Sequence, residues 1–126
     1  FLRLPSEDAG PDDAATGQDL LDTLHEHEHE CVGLAANMIG VRKRIICVKD
    51  GNRALLMYNP QILEQVNAYQ TSEGCLSLAG ERPCTRYRRI KVEYLDENFV
   101  RRIKNFSGYT AEIIQHEIDH CQGIVI

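Results

Sequence analysis

Residues 107–123 read SGYTAEIIQHEIDHCQG and predict a helix over about residues 109–122. Ser107 can cap its beginning, and Gly123 can end it because glycine readily adopts the left-handed conformation that follows helices. Three isoleucines flank the two histidines and two acids of this segment, which predicts that the helix lies in the interior, where such polar groups need partners. The isoleucines are Ile113, Ile114 and Ile118.

Five residues of this helix form an HExxH sequence, His116-Glu117-Ile118-Asp119-His120. Residues four apart on a helix lie on one face with Cβ atoms about 5–6 Å apart, so the imidazoles of His116 and His120 can hold one metal ion. Glu117 directly follows the first histidine and can act as a general base toward a water on that metal. An HExxH sequence can also arise by chance on a surface helix, an alternative that the apolar flanks disfavour.

A catalytic metal site usually has a third protein ligand and a water beside two histidines. The residues after His120 include no His, Asp or Glu, and Cys121 lies about 100° around the helix from the metal face. Upstream, Cys75 lies in the segment EGCLS at residues 73–77, where glycine allows close backbone approach. A thiolate is a strong ligand for zinc or ferrous iron. From these residues alone, a buried structural cysteine is the better-supported interpretation of Cys75.

The residues before this helix predict an α+β fold in a single domain over residues 1–126. Residues 1–17, with their prolines and glycines, predict an irregular lead-in, and Asp19 can cap a helix over about residues 20–30. Residues 32–40 are mostly small and aliphatic, which indicates a buried loop. Apolar segments next to turn-prone residues then predict strands at 45–48, 54–58, 61–66, 90–95 and 100–106.

The composition is that of a globular domain, with 126 residues of which 43% are hydrophobic and 26% charged. The formal net charge of −5 argues against a domain that grips nucleic-acid phosphates, so no direct nucleic-acid partner is expected. No apolar run approaches the roughly 18 residues that cross a bilayer, so no membrane association is expected. Five cysteines without a CxxC pair suit a reducing cytosol better than a disulfide framework.

Two clusters of charged residues suggest binding sites but have simpler interpretations. In residues 25–30 histidines alternate with glutamates. Alternate positions on a helix point about 200° apart, so these histidines do not converge on one metal, and we expect a solvated helix face or a fraying helix C-terminus. A group of basic residues likewise predicts, for most of its members, a solvated strand edge. Its members are Arg82, Arg86, Arg88, Arg89 and Lys91.

Three motifs together resemble those of the peptide deformylase family. Residues 31–38, CVGLAANM, resemble the family's GxGxAAxQ, residues 73–77 are identical to its EGCLS, and residues 116–120 match its HExDH, including Asp119. The motifs span most of the chain, and EGCLS followed about forty residues later by HExDH is a highly specific pair. The family fold is α+β, with antiparallel or mixed sheets packed around a central HExDH helix, and it agrees with the elements predicted above.

By this resemblance, Cys75, His116 and His120 bind one divalent metal ion, and Glu117 is the proton shuttle. The backbone N–H of Leu76 helps to stabilise the developing oxyanion. The implied reaction is the hydrolytic removal of the formyl group from the N-terminal formyl-methionine of nascent peptides.

The resemblance also implies a cofactor, a partner and a location. A Cys-His-His site suits Fe²⁺ or Zn²⁺, with Ni²⁺ and Co²⁺ as alternatives. The expected partners are formylated nascent peptides, with the ribosome as the place of encounter. The expected location is the bacterial cytoplasm, with an organelle as the alternative.

Substrate contacts are expected from the first motif, from the strand after EGCLS and from the HExDH helix. Apolar residues there can line a pocket for the methionine side chain, although they are equally compatible with ordinary core packing. Arg82 lies where the family places a substrate-side arginine. The expected contact residues are Val32, Gly33, Leu34, Met38, Arg82 and Ile113.

The chain departs from the family pattern at three positions. Cys31 replaces the first glycine of the first motif, Met38 replaces its glutamine and offers no N–H, and Ala79 replaces the proline usual after EGCLS. These changes leave the metal site intact but concern oxyanion stabilisation and substrate binding. They leave open the alternative that the protein is a deformylase-like paralogue with weak activity, or one that acts on another N-formyl or N-acyl substrate.

Two further alternatives belong to other classes. A non-catalytic metal-binding protein is disfavoured by Glu117, because a structural site has no use for a base beside the metal. A small zinc peptidase would share HExxH, but this chain offers no ligand downstream of His120 and does offer Cys75 upstream. Three protein ligands and a water would favour an enzyme, whereas a fourth protein ligand would favour a structural role.

Overall fold

The computed structural model describes residues 5–27, 31–75 and 78–124, with the backbone alone at residue 75 and at residues 78–80. Its strands are β1 Gly33–Ala35, β2 Ile45–Asp50, β3 Arg53–Cys75, β4 Leu78–Leu95 and β5 Arg101–Ser107. Its helices are α1 Ala14–Glu26 and α2 Gly108–Cys121, with short 3-10 helices at Pro11–Asp13 and Ala36–Ile39. The strands form one antiparallel sheet in the order β1-β2-β3-β4-β5, which confirms the α+β prediction.

The sheet packs around α2, because this helix contacts β1 and β2 as well as β4 and β5. Strand β2 is covered on both faces. Ile46 and Val48 belong to the core formed with α2, whereas Ile45 and Cys47 belong to the core formed with α1. A strand buried on both faces has no polar face, which explains why these four residues are all apolar in sequence.

Helix α2 occupies nearly the predicted range. Ser107 lies at its N-cap in an extended conformation, with φ −142°, but the Ser107 side chain makes no capping hydrogen bond with the described residues. Gly123 follows the helix with φ 80°, a left-handed value that glycine adopts without steric cost. The predicted end of the helix is therefore correct, and Ser107 is at the predicted N-cap position without the capping bond of its side chain.

Strand β3 is much longer than predicted, because it continues through Asn59-Pro60, where a break was expected. The pairing with β4 is irregular between Tyr58 and Gln61, which accommodates a proline that has no N–H to donate. Asn59 adopts φ 53°. Its side chain binds the backbone of Ala9, in the segment that begins at residue 5. Its Oδ1 accepts from the Ala9 N–H at 2.7 Å, and its Nδ2 donates to the Ala9 carbonyl at 2.9 Å.

The prediction of an irregular lead-in over residues 1–17 is wrong for residues 11–17, which are helical. Pro11 begins the 3-10 helix, since its fixed φ suits a first helical position, and Asp13 accepts a hydrogen bond from the Gly10 N–H at 2.9 Å. Gly17 then lets α1 pack on β3, because a Cβ at this position would overlap the hydroxyl group of Tyr58. The helix predicted to reach residue 30 ends at Glu26.

The histidine-rich run lies at the end of α1. His25 and His27 are exposed, in line with a solvated helix face, and His29 lies outside the described residues. Neither helix of the described ranges combines the length and the hydropathy needed to cross a membrane.

Candidate functional site

The two histidines of α2 face each other on the side of the helix next to β3. Their Nε2 atoms are 3.1 Å apart, and both imidazoles are buried. Two nitrogens bound at 2.0–2.1 Å to one tetrahedral metal ion are about 3.4 Å apart, so His116 and His120 need only a small adjustment to share an ion. The residues present thus fit a metal ion, as the helical spacing predicts.

Glu73 contacts the ring nitrogen of His116 that faces away from His120. The Nδ1 atom of His116 lies 2.7 Å from Oε1 of this carboxylate on β3. A carboxylate at the outer nitrogen of a metal-binding histidine fixes the ring orientation and tautomer, so that Nε2 presents its lone pair to the metal. Sequence reasoning places Glu73 only within EGCLS, and its contact with a residue 43 positions away depends on how α2 packs against the sheet.

Arg86 on β4 joins Glu73 to Asp119 of the HExDH motif. Its guanidinium donates to Glu73 Oε1 at 2.8 Å and to Asp119 Oδ2 at 2.7 Å. Burial opposes the ionisation of Glu73, but hydrogen bonds from His116 and Arg86 outweigh it and hold the pKa of this carboxyl well below its usual range. The predicted solvated strand edge is therefore wrong for Arg86, which is 4% exposed.

Replacing Arg86 by methionine is expected to lower the free energy of unfolding by about 3 kcal/mol, because two acids would then lack their buried counter-charge. Urea unfolding followed by circular dichroism measures the loss. Arg89→Met is the matched control, since Arg89 lies on the same strand but is exposed, and its effect should stay within about 0.5 kcal/mol. Equal losses in the two variants would contradict a central role for the Arg86 network.

The predicted third ligand, Cys75, is the last residue of β3, two positions after Glu73. Successive strand residues rise about 3.3 Å, so the Cys75 backbone lies within about 7 Å of the Glu73 backbone along the strand. The Cys75 side chain and all of Leu76 lie outside the described part of the chain. Among the described side chains, no group of three or more His, Cys, Asp or Glu surrounds a metal position. The ligand set and the Leu76 donor stay predictions.

Glu117 lies at the edge of a cavity next to the histidines and is 4% exposed. Gly33 of β1 makes room for it, because a Cβ on Gly33 would lie 3.0 Å from Glu117 Oε2 and 2.6 Å from Ile113 Cγ2. A glycine is thus required where β1 crosses α2. This close approach gives a physical reason for the glycine that the first motif contains.

The cavity beside the histidines has a volume of about 470 Å³. Four of the six predicted contact residues line it: Val32, Gly33, Met38 and Ile113. The other two lie elsewhere. Leu34 packs in the core between β1 and α1, and Arg82 is exposed and is not among the residues that line the cavity.

Glu81 and Glu112 also line the cavity, and sequence reasoning missed both. Glu112 lies one helical turn before His116, a spacing that could have indicated it. Its Oε1 accepts a hydrogen bond from the Tyr69 hydroxyl at 3.1 Å, and burial together with the neighbouring Glu73 raises the pKa of Glu112. Burial and the bond to Glu112 raise the pKa of Tyr69 to about 12, so its hydroxyl keeps its proton.

The first motif contributes Asn37 and Met38 from the short helix Ala36–Ile39. Met38 lines the cavity, whereas Asn37 is buried and donates from Nδ2 to the carbonyl of His120 at 2.7 Å. The amide of Asn37 is therefore engaged in tying the motif to α2.

Comparison with known sequences points to one family. The sequence model of the family described as polypeptide deformylase matches residues 2–126. A peptide deformylase of Clostridium beijerinckii is 51% identical over 126 residues, which cover 100% of this chain and 93% of that protein. Peptide deformylase 1 of Clostridium perfringens is 38% identical over 111 residues, which cover 86% of this chain and 74% of that protein.

Comparison with solved structures points to the same family. The peptide deformylase of Thermotoga maritima superposes with a TM-score of 0.88 at 29% identity, covering 98% of this chain and 86% of the other. A class I type b peptide deformylase from Acinetobacter baumannii with bound Met-Ala-Ser gives a TM-score of 0.86 at 28% identity, covering 98% and 88%. The strands and helices of this chain follow those of both proteins over nearly its whole length.

Proposed function

Because the chain belongs to the polypeptide deformylase family, we propose that Cys75, His116 and His120 hold a divalent metal ion and that Glu117 moves the proton in its reaction. The protein is a metallohydrolase that removes the N-formyl group from the formyl-methionine of nascent peptides. The observation that carries the residue assignment is the approach of the two Nε2 atoms to 3.1 Å, with Glu73 behind His116.

The residues of the chain have distinct tasks in this reaction. When bound, the metal ion supplies Lewis-acid polarisation of the formyl carbonyl and lowers the pKa of a water. Glu117 accepts the proton of the attacking water and returns it to the leaving amine nitrogen. The N–H of Leu76 donates to the developing oxyanion. Glu73 and Arg86 keep the His116 ring in one orientation, so that little reorganisation is needed during the reaction.

The contacts with substrate follow from the walls of the cavity. Val32, Gly33 and Ile113 form an apolar surface for the methionine side chain, with Met38 beside them. Leu34 supports this surface from the core side. Arg82, next to Glu81 on β4, would reach substrate only beyond the mouth of the cavity.

The native metal is proposed to be Fe²⁺ or Zn²⁺, with Ni²⁺ and Co²⁺ able to replace it, because one thiolate and two imidazoles suit all four ions. The peptides are proposed to be met at the ribosome in the bacterial cytoplasm, with an organelle as the alternative location. Metal analysis of protein purified without oxygen identifies the ion. X-ray absorption then tests for one sulfur and two nitrogen ligands.

Formate release from formyl-Met-Ala-Ser by the metal-replete protein tests the proposed function. We expect one formate and one free amine for each peptide consumed. Acetyl-Met-Ala-Ser under the same conditions tests an N-acyl substrate, and we expect no acetate. A protein that binds one metal ion but releases no formate would instead be a non-catalytic metal-binding protein.

The presence of Met38 in the wall of the cavity favours a slow enzyme. It lies in the cavity where the family has a glutamine, and its thioether has no N–H to donate. The neighbouring Asn37 does not take over, because it is buried away from the cavity walls and its Nδ2 donates to the His120 carbonyl. One oxyanion donor is typically worth about 10²–10³ in kcat, so a site with Leu76 alone should be correspondingly slow.

Met38→Gln is therefore expected to raise kcat by at least about 10-fold with little change in KM, the signature of an interaction made mainly in the transition state. Steady-state kinetics with formyl-Met-Ala-Ser measure both constants. Met38→Leu, which keeps the size but adds no amide, should leave kcat near the wild-type value. An unchanged or lower kcat in Met38→Gln would show that the site is built around methionine.

A further inference from the structure

We propose that Asn37 is a positioning residue for the metal site. Through its bond to the His120 carbonyl it keeps the last turn of α2 helical, so that His120 stays at the distance from His116 that one metal ion needs. The inference rests on the proposed function, since it concerns one of the proposed metal ligands. It gives a residue of the first motif a task in metal retention, although Asn37 is not among the described residues that line the cavity.

The two histidines differ in how securely the helix itself holds them. Helix α2 runs from Gly108 to Cys121, so His116 is followed by more than one further turn, whereas His120 is the last residue but one. The carbonyls of the last four residues of a helix have no partner within the helix, and helix ends fray. The separation of the two Nε2 atoms therefore depends on a turn that needs contacts from outside α2.

The hydrogen bonds at the end of α2 show which contact this turn uses. The Ile124 N–H, which would continue the helix by donating to His120, donates to the Asp119 carbonyl at 2.9 Å. The His120 carbonyl accepts instead from the Gly123 N–H at 3.0 Å and from Nδ2 of Asn37 at 2.7 Å. The first of these bonds is local, whereas the second comes from a residue 83 positions away. Asn37 therefore anchors the turn of His120 to a different part of the fold.

The surroundings of Asn37 indicate that its N–H is the group that matters. The residue is 2% exposed, and its Oδ1 is buried with no hydrogen-bond partner among the described residues. A buried acceptor without a partner costs free energy, and an apolar side chain of similar shape would avoid that cost. What the amide contributes in return is a donor, and the acceptor of that donor is the backbone of His120.

Zinc release from the fully loaded protein into an excess of a coloured chelator tests the proposal. We expect Asn37→Leu to release zinc about tenfold faster than the wild type, the lower end of the loss that follows removal of an outer partner of a metal ligand. The His120 carbonyl keeps the Gly123 N–H in this variant, so the midpoint of urea unfolding at saturating zinc should change little. Asn37→Ala, which removes the amide without adding bulk, should also release zinc faster.

Val92→Ala is the control for a general loss of stability, because Val92 is buried on β4 in the core formed with α2. It should lower the urea midpoint at least as much as Asn37→Leu but release zinc at the wild-type rate. The visible absorption bands of cobalt-loaded protein, which report ligand geometry, should shift in Asn37→Leu and not in Val92→Ala.

Wild-type zinc release from both Asn37 variants, or equally fast release from Val92→Ala, would overturn the proposal. Formate release is measured separately, so the proposed function stands or falls independently of this result. The comparison of release rates also needs no turnover, so it tests the role of Asn37 even in a protein that binds metal and releases no formate.

Discussion

Glu117→Gln is expected to lower kcat for formyl-Met-Ala-Ser by about 10²–10⁴-fold, because glutamine can neither accept the proton of the attacking water nor return it to the amine. Glu117 is 4% exposed, and Gly33 packs against it. The nearly isosteric amide should therefore occupy the same space. Steady-state kinetics on protein with a verified metal content measure the effect.

The metal content is the essential companion measurement. Glu117 is not among the proposed ligands, so Glu117→Gln should bind one equivalent of metal as the wild type does. Glu64→Gln, on the exposed part of β3, controls for the loss of one negative charge and should keep the wild-type kcat. An unchanged kcat in Glu117→Gln at full metal occupancy would show that another group moves the proton.

Cys75→Ala is expected to weaken metal binding by more than about 100-fold, since it removes a ligand outright, and loss of a mere outer partner already costs about 10- to 100-fold. The two histidines that remain are arranged for one ion but cannot complete its coordination. Elemental analysis after dialysis, and titration with Zn²⁺ against a chelator of known affinity, measure the loss.

Cys121→Ala is the matched control for this prediction. Cys121 lies on the same helix as the histidines, directly after His120, but it packs in the core between α2 and the sheet. We expect Cys121→Ala to retain one equivalent of metal. Retention of a full equivalent in Cys75→Ala would contradict the ligand assignment, and the search for a third ligand would then move to the acids of the cavity.

The substrate cavity shows which residues of a site a sequence motif can predict. The first motif correctly predicts that Val32, Gly33 and Met38 lie near the histidines, because a short segment with a glycine and no charge can pass close to α2. Leu34 directly follows Gly33 in sequence but packs on the α1 side, since alternate residues of a strand face opposite ways. The sequence does not indicate Glu81, because a single acid carries no pattern of its own, and only the spacing of four residues from His116 could have indicated Glu112.

The position of Arg86 illustrates a different limit. In sequence it is one of several basic residues, most of which are predicted to be solvated. In the structure Arg86 is buried between Glu73 and Asp119, whereas Arg82 and Arg88 are exposed. The difference arises from the register of β3 with β4 and from the packing of α2, neither of which a local pattern encodes.

The sequence by itself determined the α+β class, the helix α2 and the approach of His116 to His120, because the spacing of residues four apart is fixed by helix geometry alone. Only the tertiary structure decided what surrounds them. The Glu73 carboxylate reaches His116 across 43 positions, Arg86 reaches Asp119 across 33, and Asn37 reaches the His120 carbonyl across 83. Such contacts depend on strand register and on helix-to-sheet packing, which arise from the burial of the whole core rather than from any one segment.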